Sequence, residues 1–241
     1  MDQQRKYREA VNLLADGVKA CWKQSLALLA EANSVRARGS HSLALSLAVL
    51  AMEEVGKLML TDGLLFAKHG DQRSQSFDKG FRDHKAKLAA LDTFPFFVQY
   101  LGTLDPRLKT EDKFGIALTI TVKSYQRERQ FLWRWIGPEC DLTRLDIWKQ
   151  KGFYTHYANG QFTTPNDAIA EEFADGVIKL ATRFVTTIDF LLKNNISRYR
   201  SFAANVRQAL TEEQHSELIR EAESLVAGIF AEAQSPESST D

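Results

Sequence analysis

Two adjacent carboxylates, Glu53 and Glu54, come directly after the most apolar stretch of the chain, residues 43–52. Glu53 lies four residues before Lys57, so the two share one face of a helix and can pair. Because the preceding stretch is apolar on nearly every side of a helix, at least one carboxylate must enter the protein interior. There it needs a partner, since an isolated buried carboxylate takes up a proton instead. The pattern is compatible with a structural ion pair or with a polar site facing a cation of another helix.

His84 is the second residue whose position could support chemistry. His84, Lys87, Leu88 and Leu91 recur at i, i+3, i+4 and i+7, so the histidine and one lysine share the helix side that carries leucines inward. A histidine in such a place is commonly structural, but beside a carboxylate it can act as a general acid or base. We expect His84 to share a polar site with one of the two carboxylates and with an arginine of the fourth predicted helix.

A third cluster combines arginines with aromatic residues near the end of the fourth predicted helix. Its members are Arg127, Arg129 and Arg134 together with Tyr125, Phe131, Trp133 and Trp135. Arginine beside exposed aromatic rings suits stacking on unpaired bases and binding of phosphates. The dipole at a helix C-terminus also favours arginine, so a purely local role is equally open.

Several other functional classes find no support in the sequence. A ferritin-like dinuclear site needs paired Glu-x-x-His motifs, and only Glu212-x-x-His215 occurs. Glycine-rich nucleotide loops, Cys/His zinc patterns and a Gly-x-Ser-x-Gly elbow are missing, so we expect no metal and no cofactor. The 31 basic and 31 acidic residues cancel, so any RNA contact must come from a local patch. Cys21 and Cys140 are far apart and predict two reduced thiols.

The elements that must position these residues are helical. Hydrophobic residues make up 44% of the chain and only 5 prolines interrupt it, which allows long helices around a substantial core. The periodicity and the capping residues predict helices over about 7–32, 40–69, 77–92, 110–137, 164–193 and 211–233. The second should lie in the middle of the bundle because it is apolar all round. Phe94-Pro95 should end the third.

After the fourth predicted helix the helical periodicity gives way to a turn signal. Aromatic runs flank Asn159-Gly160, which predicts a β-hairpin. Thr164 and Pro165 then suit the N-cap and first turn of the fifth helix. Residues 1–195 form one predicted helical domain, 196–234 a C-terminal helical extension and 235–241 a disordered tail. No apolar run is long enough to cross a bilayer and no signal peptide is apparent, so we expect a cytoplasmic protein without membrane contact.

The exposed aromatic residues of the fourth helix and the hairpin also predict self-association. They are Phe131, Trp133, Trp135, Phe153 and Tyr154. A monomer rarely leaves such a cluster in water, so we expect a homodimer with this region near the interface.

The run from Ser42 to Lys57, followed by Phe81-x-x-His84-x-x-Lys87, resembles the AbiV family of bacterial abortive-infection proteins, within the HEPN superfamily. HEPN bundles often carry Glu-x-x-x-Lys in the second helix, matched here by Glu53 and Lys57. The hairpin segment 153–157 is also similar, with His156 where an acid is usual. The resemblance covers about residues 7–193. It implies an all-α, HEPN-like bundle of about five long helices, with a small β-hairpin insertion and an extra C-terminal helix.

The resemblance further implies phage defence, by one of two routes. Many HEPN proteins are metal-independent endoribonucleases with an Arg-x(4 to 6)-His motif in a late helix. The only literal match is Arg36-x4-His41, which precedes the second helix. The alternative is a non-catalytic protein that senses a phage product or blocks translation by binding, and the missing late motif favours it.

Under the enzyme hypothesis, His84 or His156 is the general acid or base and Arg127 or Arg129 stabilises the phosphate. The expected partners are RNA, either tRNA or mRNA, and a phage protein that serves as the trigger. Lys87 and the Glu53–Lys57 segment would support the polar site.

Overall fold

The computed structural model describes residues 2–65, 79–104, 123–158, 160–193 and 195–201. Within these ranges the protein is all-α apart from one hairpin, as predicted. The helices are α1 (Asp2–Ala37), α2 (His41–Leu65), α3 (His84–Ala89), α4 (Phe94–Leu104), α5 (Trp133–Ile136), α6 (Leu145–Phe153), α7 (Pro165–Ala168) and α8 (Glu171–Leu192). Short 3-10 helices cover Ala90–Thr93 and Leu142–Arg144, and residues 79–82, 123–131 and 196–201 are also helical.

Helix α2 lies at the centre of the fold, as its all-round apolar sequence predicts. It packs against α1, α3, α6 and α8. Its completely buried hydrophobic residues are Ala44, Leu45, Ala48, Val49, Ala51, Met52, Val55 and Leu58. A stripe of partly buried residues, which includes Leu47, Leu50 and Glu54, lies towards solvent. Burial of the other sides removes apolar surface from water, the dominant favourable contribution to folding. A polar side chain outside that stripe, such as Glu53, therefore faces another element of the protein.

The third predicted helix, 77–92, is wrong as a single element because Asp83 interrupts it. Asp83 has extended backbone angles (φ −80°, ψ 119°), and its carboxylate accepts hydrogen bonds from the N–H groups of Lys85 and Ala86. This is an N-cap, so α3 begins at His84. The expected end at Phe94 is also wrong, since the chain continues as α4 with Pro95 in its first turn. Proline fits there because first-turn N–H groups have no partner within the helix.

The predicted hairpin is confirmed, and the helix predicted after it is corrected. Strands β1 (His156–Ala158) and β2 (Gln161–Thr163) pair antiparallel. Thr164 caps α7 through a hydrogen bond from the N–H of Asp167. The helix does not continue to residue 193 without a break, because Ile169 is extended (φ −124°, ψ 121°). The Ile169 side chain is buried and its carbonyl oxygen lies 2.7 Å from Nε2 of His41, which holds the break between α7 and α8.

The fourth predicted helix is described from residue 123 onward. A turn at Leu132 separates residues 123–131 from α5, and Gly137 ends α5 with φ +88°, near the predicted stop. The start predicted at Thr110, the last predicted helix and the tail all lie outside the described residues. Among the helices described, none is both long and apolar enough to cross a membrane.

Candidate functional site

Glu53 is a buried carboxylate that binds three cationic or protonatable groups. Its side chain is only 3% exposed. Oε1 lies 2.5 Å from Nζ of Lys149 on α6, and Oε2 lies 2.6 Å from Nδ1 of His84. Nζ of Lys87 is 3.3 Å from Oε2. The prediction that His84 shares a site with Glu53 is therefore confirmed, but the arginine expected from the fourth helix is replaced by two lysines.

A second carboxylate, Asp146, completes the group. Its Oδ1 lies 2.8 Å from Nζ of Lys149, at ion-pair distance although the ammonium is not aligned for a hydrogen bond to that atom. We call Glu53, His84, Lys87, Asp146 and Lys149 the Glu53 cluster. With two carboxylates and two ammonium groups, its formal charges cancel when His84 is neutral. Electroneutrality is what permits this many ionised groups to be buried together.

His84 is the member of the Glu53 cluster that reaches solvent. Its side chain is 49% exposed, whereas those of Lys87 and Lys149 are only 5% and 6% exposed. Nδ1 of His84 lies within hydrogen-bond distance of both the Glu53 carboxylate, at 2.6 Å, and the Lys149 ammonium, at 3.0 Å. It donates to the carboxylate in the tautomer that carries the proton on Nδ1. Nε2 makes no hydrogen bond with any residue in the described ranges. The carboxylate thus orients the ring and leaves its outer nitrogen available to exchange a proton.

Two glycines allow α3 and α6 to come close enough to α2 for these contacts. A Cβ on Gly56 would lie 1.9 Å from the carbonyl oxygen of Lys87, so only glycine fits beneath α3. A Cβ on Gly152 would lie 2.2 Å from Oγ of Ser46 on α2. Ser46 Oγ also donates a 2.7 Å hydrogen bond to the carbonyl of Lys149. Both lysines of the cluster are therefore held by close backbone approaches to α2.

The predicted pair of Glu53 with Lys57 is wrong. Nζ of Lys57 binds Oε1 of Glu54 at 2.6 Å, an i, i+3 pair, while both oxygens of Glu53 are taken by the Glu53 cluster. Glu54 instead lies on the α1 side, where burial, with a contribution from the Glu54 charge, raises the pKa of Cys21 to about 11. Glu54 and Lys57 therefore support the packing of α2 and do not contribute to the Glu53 cluster.

Arg129 is held by three local partners. Its Nε donates to the carbonyl of Cys140 at 2.8 Å, and Nη1 lies 2.8 Å from the Tyr125 hydroxyl and 2.7 Å from Oδ1 of Asp92. Burial raises the pKa of Asp92 in spite of the opposing effect of Arg129. These contacts tie residues 123–131 to the segment after α3, a structural task that engages most of the guanidinium.

Arg127 and His156 are placed apart from the Glu53 cluster. Arg127 is exposed and lines a surface groove, together with Gln130, Phe131, Trp133, Arg134, Pro138 and Cys140. His156 is half-buried in β1, and its Nε2 finds no hydrogen-bond partner in the described part of the chain. No hydrogen bond or ion pair between described residues joins Arg127, Arg129 or His156 to the Glu53 cluster. Their predicted catalytic roles stay predictions.

The two residues of the literal Arg36-x4-His41 match connect the α1–α2 turn to the start of α8 and to the end of α7. Arg36 forms ion pairs with Asp175, at 2.6 Å, and with Glu171. The hydrogen bond from Arg36 lowers the pKa of Asp175 below its usual range. His41 directs Nε2 at the carbonyl oxygen of Ile169. Both residues are thus occupied in interhelical contacts.

A comparison with known protein families matches residues 13–186 to AbiV, a family of the HEPN superfamily. The chain belongs to the AbiV family. The predicted family is therefore confirmed, and with it the assignment to abortive-infection proteins of the HEPN type. No curated protein and no solved structure matches the chain.

The Glu53 cluster of this AbiV chain also contains a possible set of metal ligands. Ligand atoms of Glu53, His84 and Asp146 lie within 4.8 Å of one another. Nζ of Lys149 lies 2.5 Å, 2.8 Å and 3.0 Å from atoms of Glu53, Asp146 and His84. The ammonium thus occupies the point between the three side chains, and a divalent ion would have to displace it.

Sequence reasoning missed Lys149 and Asp146, although a signal was present. Leu145, Lys149 and Gly152 are spaced i, i+4 and i+7, and all three are buried on the face of α6 that packs on α2. A lysine on such an apolar face predicts a buried carboxylate partner, because an unpaired buried ammonium is costly. Asp146 stands three residues before it, where the two can pair on one helix.

Proposed function

We propose that this AbiV-family protein cleaves RNA during anti-phage defence, with His84 as the general acid or base and without a metal ion. One observation carries the proposal: Nδ1 of His84 lies 2.6 Å from the buried carboxylate of Glu53 while the ring is half exposed. A carboxylate that fixes the tautomer and orientation of an imidazole is the arrangement by which proteins prepare histidine for proton transfer. His84 is the one half-exposed group in an otherwise buried cluster.

The reaction requires proton transfer and charge stabilisation, and no redox step. The 2′-oxygen of a ribose attacks the adjacent phosphorus, so that an O2′–P bond forms and the P–O5′ bond breaks. One group takes the proton of the 2′-hydroxyl and another supplies a proton to the leaving 5′-oxygen. His84 can perform either transfer through Nε2, and general acid–base catalysis of this kind contributes about 10²–10⁴-fold. The products are a 2′,3′-cyclic phosphate and a 5′-hydroxyl.

Basic residues beside His84 suit the approach of a phosphate. Arg82 and Lys85 flank it in sequence and both are exposed. Lys87 and Lys149 are too buried for direct contact with a phosphate, and their ammonium groups pair with Glu53. The phosphate-stabilising role predicted for Arg127 or Arg129 is part of the proposal. Arg127 is the more available of the two because the contacts of Arg129 engage most of its guanidinium.

The experiment is incubation of the purified protein with total RNA and with tRNA, with and without a chelator, followed by mapping of the product ends. We expect cleavage that the chelator does not affect and that leaves cyclic phosphate and 5′-hydroxyl ends. Intact RNA under all conditions, or cleavage that requires added Mg²⁺, would contradict the proposal.

The alternative is a protein that acts in abortive infection by binding, by sensing a phage product or by blocking translation. The observation that favours it is the role of Arg36 and His41, whose interhelical contacts leave no Arg–His motif free for catalysis among the described residues. Phage protection by a His84→Gln variant that folds normally, with RNA left intact by the wild type, would select this alternative.

We also propose a cytoplasmic homodimer, activated by a phage protein and acting on tRNA or mRNA. Several rings on the hairpin and on the segments around it support self-association, with Tyr154 67%, Tyr157 65% and Phe162 78% exposed. An apolar surface of this kind commonly mediates contact between subunits. A monomeric mass by light scattering at micromolar concentration would contradict the dimer.

A further inference from the structure

A groove on the protein surface, separate in its residues from the Glu53 cluster, has the composition of a nucleotide-binding site. It has a volume of about 460 Å³ and is lined by Arg127, Gln130, Phe131, Trp133, Arg134, Pro138 and Cys140. Pockets that hold small molecules usually measure about 300–1,000 Å³. We call it the arginine–aromatic groove.

The charge of the arginine–aromatic groove is positive. It is lined by two arginines and by no acidic residue. Arg127 makes no ion pair with another residue in the described ranges. Arg134 has one ion pair there, with Glu172 at 4.0 Å, in which both side chains are more than 60% exposed. Such a pair is weak and screened by water, so an incoming phosphate can replace it.

Two aromatic side chains border the same groove. Phe131 is 40% exposed and Trp133 is 52% exposed, so each offers ring surface to a ligand. The Phe131 ring packs against Trp135, with centroids 5.7 Å apart, and Trp135 stacks on Phe173 of the core at 4.9 Å. The Phe131 ring is therefore anchored and stays oriented without a ligand. The exposed amide of Gln130 adds a donor and an acceptor for the edge of a base.

From these contacts we infer that the arginine–aromatic groove binds unpaired nucleotides of single-stranded RNA, with Arg127 and Arg134 on phosphates and Trp133 or Phe131 stacked on a base. Base stacking beside arginine is the usual mode of binding single strands, since every base has a π-face. A second copy of this chain is the less suitable occupant, because the two arginines of the groove would meet no acid from the groove of an identical subunit. The inference rests on the proposed function only for the choice of RNA over DNA.

The test is fluorescence anisotropy with a labelled single-stranded RNA whose 2′-hydroxyls are methylated, so that attack by the 2′-oxygen cannot consume the probe. We expect Trp133→Ala to weaken binding by about 5- to 150-fold, the loss usual for one stacked base. Arg127→Ala should weaken binding and reduce the slope of log affinity against log salt by about 0.7, the value for one phosphate on a single strand. Arg38→Ala, which removes an exposed arginine from the end of α1, is the matched control and should bind as the wild type does.

The outcomes separate this inference from the catalytic proposal. His84→Gln should bind the methylated RNA normally, whereas Trp133→Ala should still cleave unmodified RNA when it is saturating. Wild-type affinity in both groove variants, or no binding by the wild type, would overturn the inference. If Trp133→Ala instead converts a wild-type dimer into a monomer, the arginine–aromatic groove is a contact between subunits and the inference is also overturned. Circular dichroism and melting temperature establish that each variant is folded.

Discussion

Replacement of Glu53 by glutamine should be among the most destabilising changes of a charged residue in the described part of the protein. Glu53→Gln preserves size and removes one negative charge from the Glu53 cluster. Lys149, at 6% exposure, then keeps Asp146 as its remaining carboxylate partner, whereas Lys87, at 5% exposure, keeps no ion pair with another described residue. Removing one partner of a buried ion pair costs about 3–5 kcal/mol. In a chain of this size that corresponds to a fall in Tm of about 6–20 °C.

The matched control is Glu54→Gln, one residue further along α2. Glu54 and Lys57 form a pair whose side chains are 16% and 22% exposed, so solvent screens part of their interaction. Glu54→Gln should therefore lower Tm by less than Glu53→Gln does, because partial solvation of the Lys57 ammonium replaces some of the lost interaction. Thermal and urea unfolding, followed by circular dichroism, give both values from the same preparations.

A double-mutant cycle with Lys149→Met identifies the cause of the loss. When the carboxylate and its closest ammonium are removed together, neither of these two leaves the other buried without its partner, so the double variant should lose less stability than the two single variants combined. Equal losses for Glu53→Gln and Glu54→Gln, or strict additivity in the cycle, would refute the assignment of Glu53 to a buried ionic cluster.

Three further predictions follow from local geometry and protonation. Gly56→Ala should destabilise the fold by about 1–3 kcal/mol, the usual cost of overpacking, because the added Cβ would lie 1.9 Å from the backbone of α3. Gly63→Ala is the control in the same unfolding assay. It should be neutral or stabilising, because no atom lies within 4 Å of its Cβ position. Burial raises the pKa of Cys21 from 9.0 to about 11, so at mildly alkaline pH its thiolate is about 100-fold rarer in the folded chain, and a thiol reagent should modify it only after denaturant is added. The hydrogen bond from Arg36 lowers the pKa of Asp175 below 3.8 in the folded protein. The pair therefore stabilises the fold above pH 3.8, and this contribution is lost as the pH falls through the pKa that Asp175 has in the folded protein. Asp175→Asn should reduce the dependence of Tm on acidic pH.

The burial of Glu53 and the position of His84 could be predicted from the sequence because both depend on local periodicity. A helix that is apolar all round must bury its polar residues as well. The spacing of His84 with Lys87 and Leu88 likewise indicates the buried face of α3, which the structure confirms for Lys87 and Leu88.

The partners of Glu53 could not be predicted, since they depend on which helices meet in space. Lys149 is 96 residues from Glu53 in the chain, and its choice over Lys57 follows from the approach of α6 to α2 at Gly152. The break at Ile169 similarly depends on His41, which is 128 residues away. Periodicity alone extends helices through such points.

The cleavage rate of His84→Gln is the measurement that tests the central claim most directly. Single-turnover cleavage of a labelled tRNA is compared for wild type, His84→Gln and His156→Gln, at saturating protein and with chelator present. If His84 transfers a proton in the reaction, His84→Gln should slow cleavage by about 10²–10⁴-fold at nearly unchanged RNA affinity, with a retained melting transition. A His84→Gln protein that cleaves at the wild-type rate, while His156→Gln does not, would contradict the claim and move the chemistry to the hairpin.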